Sequence, residues 1–229
     1  MATRKAIIFD KDGTLFDFGA SWGPWAEAVL SEIESLVPGV SEDVSRAFGF
    51  DRITGAFDPD SVVIAGTTED TVAAIESFVP NNVPLLSILD KHAQNVRQQP
   101  VLGLHVTLTD LAEDFVLGVV TNDGATAARK HLEFHGISDL FSFVAGYDSG
   151  FGSKPAPGQL LAFCEATNVP PSACVMVGDS LHDLIAGRSA GMETVGVLTG
   201  IADQTELSSH ADIVMSDIGG LRAWLSERD

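Results

Sequence analysis

Positive charge is scarce in this chain: 13 Lys and Arg stand against 32 Asp and Glu over 229 residues, a formal net charge of −19. Nucleic-acid binding needs a basic footprint and anionic membrane surfaces attract basic clusters, so neither partner is expected. An anionic ligand can still bind where positive groups or a metal are gathered locally. Cysteine is scarce too. Cys164 and Cys174 are too few for a disulfide framework and read as reduced, buried core residues. No apolar run approaches the length of a membrane-spanning helix. The basic residues 1–5 lead only into the short apolar run 6–9, too brief for a signal peptide, so a cytoplasmic chain is expected. The glycines and prolines are scattered, and no low-complexity tract or repeat of solenoid period is present.

What is there is a series of short apolar runs. Residues 6–9 end at Asp10, 115–120 at Thr121-Asn122, and 173–177 at Gly178-Asp179-Ser180; 143–145, 194–198 and 212–215 are further runs. These read as buried strands. Helical patterns separate them over 125–134, 158–167 and 180–190, with Gly136, Asn168 and Gly191 as stop signals. Alternating strand and helix predicts an α/β, doubly wound, mostly parallel sheet. Residues 18–93 break the rhythm with helix-like stretches at 22–36, 42–48, 69–78 and 83–95 and no strong strand. The expected organisation is therefore an α/β core from 1–17 and 94–229, with a small all-helical domain, 18–93, inserted after the first strand.

Asp10, Thr121 and Asp179 each end an expected strand, and Lys154 follows the third run. In open parallel sheets ligands bind outside the carboxyl ends of the strands. Two carboxylates, a hydroxyl and an ammonium therefore converge on one crevice. Asp10 and Asp12 are two apart before Gly13, which allows a sharp turn and close backbone approach. A pair of this kind supplies one ionised group and one acid–base group, although such a segment alone is also an ordinary surface turn. Asp179 and Asp183 share a helix face, where a hard cation removes their repulsion. Alone, Asp179 reads equally well as a helix cap and Lys154 as an exposed lysine.

Together, Asp10-Lys11-Asp12-Gly13-Thr14, Val119-Val120-Thr121-Asn122, Lys154-Pro155 and Gly178-Asp179-Ser180-Leu181-His182-Asp183 resemble the haloacid dehalogenase-like superfamily, and most of all its phosphoglycolate phosphatase-like branch. The motifs stand in that family's order, and residues 18–93 occupy the place of its helical cap. The resemblance implies a Mg2+-dependent phosphatase acting on a small phosphorylated metabolite, a phosphate monoester that is phosphoglycolate-like or a sugar phosphate. Asp10 is the nucleophile and forms an aspartyl-phosphate. Asp12 is the acid and then the base. Lys11, Gly13, Thr121, Asn122 and Lys154 surround the phosphoryl group. Asp10, the Asp12 carbonyl and Asp179 hold magnesium, and Asp183 supports them. To act as an acid Asp12 needs a raised pKa, for which burial under a closed cap is the expected source.

The chain departs from the pattern at Lys11, where the family more often has an apolar residue; its backbone N–H is expected to face phosphate and its side chain to point away. Asp123 reads as an acidic helix start, His182 as a structural residue on another helix face, and Trp25 as core. Trp22 and Arg52 are candidate contacts to the leaving group. Asp12 argues against dehalogenation, because dehalogenases of the superfamily lack it. A sugar phosphomutase, which keeps both aspartates, stays open. A non-catalytic regulatory protein on this fold would have lost motif residues, and none is missing.

Overall fold

The computed structural model describes residues 5–227; residues 1–4 of the expected basic start, and residues 228–229, lie outside them. Strand β1 (Ala6–Phe9) is followed by five helices, α1 (Phe18–Leu36), α2 (Ser41–Phe48), α3 (Val62–Ala65), α4 (Thr68–Ile75) and α5 (Leu85–Ala93). Then come α6 (Leu104–Ala112), β2 (Val116–Val120), α7 (Ala125–Phe134), β3 (Phe141–Ala145), α8 (Gly158–Thr167) and β4 (Cys174–Gly178). The chain ends with α9 (Leu181–Ala190), β5 (Glu193–Val197), α10 (Gln204–Ser208), β6 (Ile213–Met215) and α11 (Leu221–Ser226). The six strands form one sheet in the order β6-β5-β4-β1-β2-β3, and every neighbouring pair is parallel. This is the α/β class expected from the sequence.

Period-two alternation feeds two cores. Ile7 and Phe9 join one apolar cluster with Leu108, Leu132 and Trp224, whereas Ala6 and Ile8 join another with Phe163, Cys164 and Ala186. The cysteines are buried and unbridged. Both faces of the sheet are therefore covered, which is why its strands read as continuous apolar runs. Gly118 in β2 is needed for this packing: a Cβ there would lie 2.5 Å from the fully buried Phe163 ring. Overpacking of this kind costs about 1–3 kcal/mol. Gly118→Ala should accordingly lower the Tm by about 5 °C in thermal unfolding; an unchanged Tm would show that the ring has room to move.

From β1 the chain passes to β2 and β3 on one side, then returns to place β4 on the other side of β1. That reversal opens a crevice at the carboxyl ends of β1, β2 and β4. The helical stretch faces it. Phe16–Asp17 pairs antiparallel with Gln99–Pro100, so the outgoing and returning crossings run side by side. The stretch has its own apolar cluster, including Trp25, Val29, Ile33, Phe48 and Leu89, with Ala127 of α7 joining it.

Several local features differ from the sequence expectation. Helix α1 begins at Phe18 rather than residue 22: Gly19 and Gly23-Pro24 dilute the helical pattern, but the Asp17 carboxylate caps the helix by accepting from Ala20 N at 2.8 Å. A small hairpin, Phe50–Asp51 with Ala56–Phe57, turns at Gly55 (φ +71°) where no strand was expected. Two-residue strands are too short to show a period. Packing of the Phe50 and Phe57 rings, centroids 4.8 Å apart, holds the pair together. Among the described residues no helix is long and apolar enough to cross a membrane.

Candidate active site

The buried end of β1 delivers Asp10 to a lysine. Lys154 Nζ donates to Asp10 Oδ1 at 2.5 Å, to Asp183 Oδ1 at 2.6 Å and to the Val120 carbonyl at 3.0 Å. Its loop is clasped by Asn122, whose Oδ1 accepts from Lys154 N (2.9 Å) while Nδ2 donates to Lys154 O (2.9 Å) and to Ala65 O (2.8 Å). Asp183 is committed on both sides, since its Oδ2 accepts from Ser180 N at 3.1 Å and Ser180 Oγ at 2.7 Å. It therefore orients Lys154 and closes the first turn of α9.

Asp179 completes the cluster. Its carboxylate lies where side chains of Gly13 and Gly200 would otherwise stand: a Cβ would fall 2.2 Å and 1.7 Å from Asp179 Oδ2, respectively. Thr14 Oγ1 donates to its Oδ1 at 3.3 Å. Gly13 also has φ +85°, so both its conformation and its missing side chain are required. One oxygen each from Asp10, Asp179 and Asp183 lie within 4.8 Å of one another. Burial pushes the Asp10 carboxyl up to about 7; Lys154 opposes this, and Asp183 and Asp12 add to it. Burial, then Asp10 and Asp183, hold Asp179 well above the usual carboxylate range. Three acids against one lysine leave a site short of positive charge. Its oxygen-only donor set, with no Cys or His, fits a hard divalent cation.

Asp12 sits in a second network. Its Oδ1 accepts from Trp22 Nε1 and from Gln98 Nε2, both at 2.8 Å, and its Oδ2 pairs with Lys11 Nζ at 2.6 Å. Lys11 is fully buried and also meets Asp123 at 3.2 Å, His131 Nδ1 at 3.2 Å and the face of the Trp22 ring at 5.6 Å from its centroid. His131 accepts through Nδ1 and donates through Nε2 to Ala93 O at 2.9 Å, which fixes a neutral tautomer. Burial and the Lys11 charge push its pKa down to about 4. Burial pushes Asp12 up, but Lys11 beside it outweighs that and holds the carboxyl below its ordinary range. This corrects the expectation that burial would raise it. Asp123, buried and with less of the lysine, is pushed up to about 6.

The remaining candidates divide. Thr121 is buried in the pocket, its Oγ1 accepting from Asp123 N at 3.0 Å. Trp22 lines the same pocket. Arg52 does not: its guanidinium is forked onto Glu27 at 2.9 and 3.1 Å on the exposed surface, so the structure does not bring it to the site. His182, read as structural, lines the pocket and donates from Nδ1 to Ala65 O at 3.1 Å, so α9 and the β2 loop both grip the end of α3. Gln98 and His131 were not singled out from the sequence. Neither stands in a motif, and only the fold carries them to Asp12.

The haloacid dehalogenase-like hydrolase family profile matches residues 7–197. The chain is a haloacid dehalogenase-like hydrolase. A phosphoglycolate phosphatase of Neisseria meningitidis is 31% identical over 216 residues, 89% of this chain and 84% of that one. An N-acetylmuramic acid 6-phosphate phosphatase of Pseudomonas putida is 27% identical over 92% and 91% of the two chains. A solved HAD phosphatase of Thermococcus onnurineus superposes with TM-score 0.69 at 23% identity, covering 96% and 97%, and shares the fold of this hydrolase.

Proposed function

We propose that this hydrolase is a magnesium-dependent phosphatase of small phosphate monoesters, working through an aspartyl-phosphate on Asp10. The observation that carries the reading is Asp10 itself: one oxygen is held by Lys154 and faces Asp179, and Asp12 follows two residues later in the same pocket. Residues 18–93 act as the cap. Asp10, Asp179 and the Asp12 main-chain carbonyl would hold the ion, which supplies positive charge against the transferring phosphoryl oxygens.

The chain's own groups do the rest. The free Asp10 oxygen attacks phosphorus, forming an O–P bond as the bond to the leaving alcohol oxygen breaks. Lys154 and the turn from Thr121 balance charge on the phosphoryl oxygens. A proton on Asp12 passes to the leaving oxygen. The Asp12 carboxylate then takes a proton from water, whose oxygen bonds to phosphorus and releases Asp10. Closure by the helical layer, gripped through Ala65, keeps other water out. Because Lys11 favours ionised Asp12, the base half-reaction is ready at rest and the acid half-reaction must first be loaded with a proton.

The test is magnesium-dependent release of inorganic phosphate from a panel of small monoesters with no bisphosphate added. Release supports hydrolysis; isomerised sugar phosphate without free phosphate would establish the mutase alternative. Magnesium should also bind with a defined pH dependence. The ion needs ionised ligands. With Asp10 at about 7, the ionised fraction falls about tenfold between pH 8 and pH 6. Calorimetric titration should show affinity at least about tenfold weaker at pH 6. Equal affinity at both values would exclude Asp10 as a ligand.

A further inference from the structure

Beyond the phosphoryl position the pocket wall comes from the helical layer, and it has one chemical character. Phe18, Trp22, Trp25, Ile64 and Leu89 supply rings and aliphatic surface. Among the described residues lining the pocket, none contributed by residues 18–93 is charged. The three Lys and Arg of that stretch lie elsewhere, each in an ion pair: Arg46 with Asp43, Arg52 with Glu27 and Lys91 with Glu32.

The wall's polar atoms already have partners. Trp22 Nε1 donates to Asp12 and Trp25 Nε1 to Leu89 O, Thr67 Oγ1 is shared with Asp70, and Thr71 Oγ1 donates to Thr67 O. On the core side, the basic side chains lining the pocket are Lys154, held between Asp10 and Asp183, and His182, one ring nitrogen of which is bound to Ala65 O. Five carboxylates, those of Asp10, Asp12, Asp123, Asp179 and Asp183, line the same space.

We infer that the leaving group is an uncharged alcohol with an apolar face that packs on the Trp22–Ile64 side of the pocket. An ester whose alcohol carries its own carboxylate, as phosphoglycolate does, is a poor substrate. A second anion on the alcohol would be pressed against a wall that, among the described residues, offers it no charged side chain, and a buried charge without a partner is costly. The inference rests on the phosphatase reading. It separates this hydrolase from a relative whose name specifies phosphoglycolate, although the two share the phosphate-handling family pattern.

The experiment compares kcat/KM for hydroxyethyl phosphate and phosphoglycolate, which are near in size and differ in the carboxylate, with p-nitrophenyl phosphate as the reporter of phosphatase chemistry. The ester of the neutral alcohol should be favoured by about a hundredfold, the scale of leaving a buried charged group without a partner. A ratio at or below unity, with p-nitrophenyl phosphate hydrolysed, overturns the inference and leaves the phosphatase reading intact. Loss of turnover on all three esters would instead strike that reading, and the inference with it. A cation placed in the wall by Ile64→Lys should shift the ratio toward phosphoglycolate by about tenfold. An unchanged ratio in a variant that still hydrolyses p-nitrophenyl phosphate overturns the assignment of that wall to the leaving group.

Discussion

Asp10→Asn should hydrolyse phosphate monoesters at least about ten-thousandfold more slowly than the parent chain while remaining folded. An amide keeps the shape of the side chain but offers no anionic oxygen to phosphorus, so the covalent step disappears rather than slowing. Folding should tolerate the change. The carboxyl is already pushed up to about 7 by burial, with Asp183 and Asp12 adding to it, so its ionised form is not what holds the fold together. Lys154 loses one partner but keeps Asp183 and the Val120 carbonyl. The metal-free Tm should therefore move by only a few degrees, as measured by calorimetry. Magnesium should protect the variant less than the parent at pH 8, because one ligand charge has gone. Parent-like turnover in a well-folded Asp10→Asn protein would end the aspartyl-phosphate mechanism.

The sequence made the scaffold readable because buried parallel strands are continuous apolar runs, and three of those runs stop at polar residues that belong to the crevice. Asp10, Thr121 and Asp179 could be placed in this way, and helices with clear stop signals, such as α7 and α8, kept their expected bounds. Helix α6 could not be placed. It follows Gly103 without a capping side chain, and its apolar positions resemble those of the neighbouring strand. The environment of Asp12 was equally hidden. Its partners Trp22 and Gln98 come from α1 and from the returning crossing, His131 of α7 meets Gln98 and Lys11 behind them, and no local spacing links these residues. Arg52 failed as a substrate contact for a related reason: sequence proximity to aromatic residues says nothing about Glu27, which the fold sets beside it. Motifs record which groups the reaction needs. Which charge neutralises which is decided by tertiary packing.

Lys11→Met restores the apolar kind of residue more usual between the two aspartates, yet it should damage this chain. The lysine is fully buried and is the cation between Asp12 at 2.6 Å and Asp123 at 3.2 Å. Removing one member of a buried charge pair costs about 3–5 kcal/mol, which for a chain of this size lowers Tm by about 10 °C. The loss should be greatest near pH 8. Without Lys11 the folded-state pKa values of both carboxyls rise above their unfolded values, so stability is lost above those raised values and regained as pH falls through them. Asp123→Asn alone should be mild, because Lys11 keeps Asp12. The double variant should recover part of the stability, with a coupling of about 2 kcal/mol in a double-mutant cycle. Activity adds a second readout. With Lys11 gone, Asp12 holds a proton more readily, so turnover of an alkyl phosphate, which needs the leaving oxygen protonated, should fall less than turnover limited by the base half-reaction. The ratio of alkyl to p-nitrophenyl phosphate turnover therefore rises. If the two single variants were simply additive and that ratio stayed fixed, Lys11 would be a packing residue with no hold on the acid–base group.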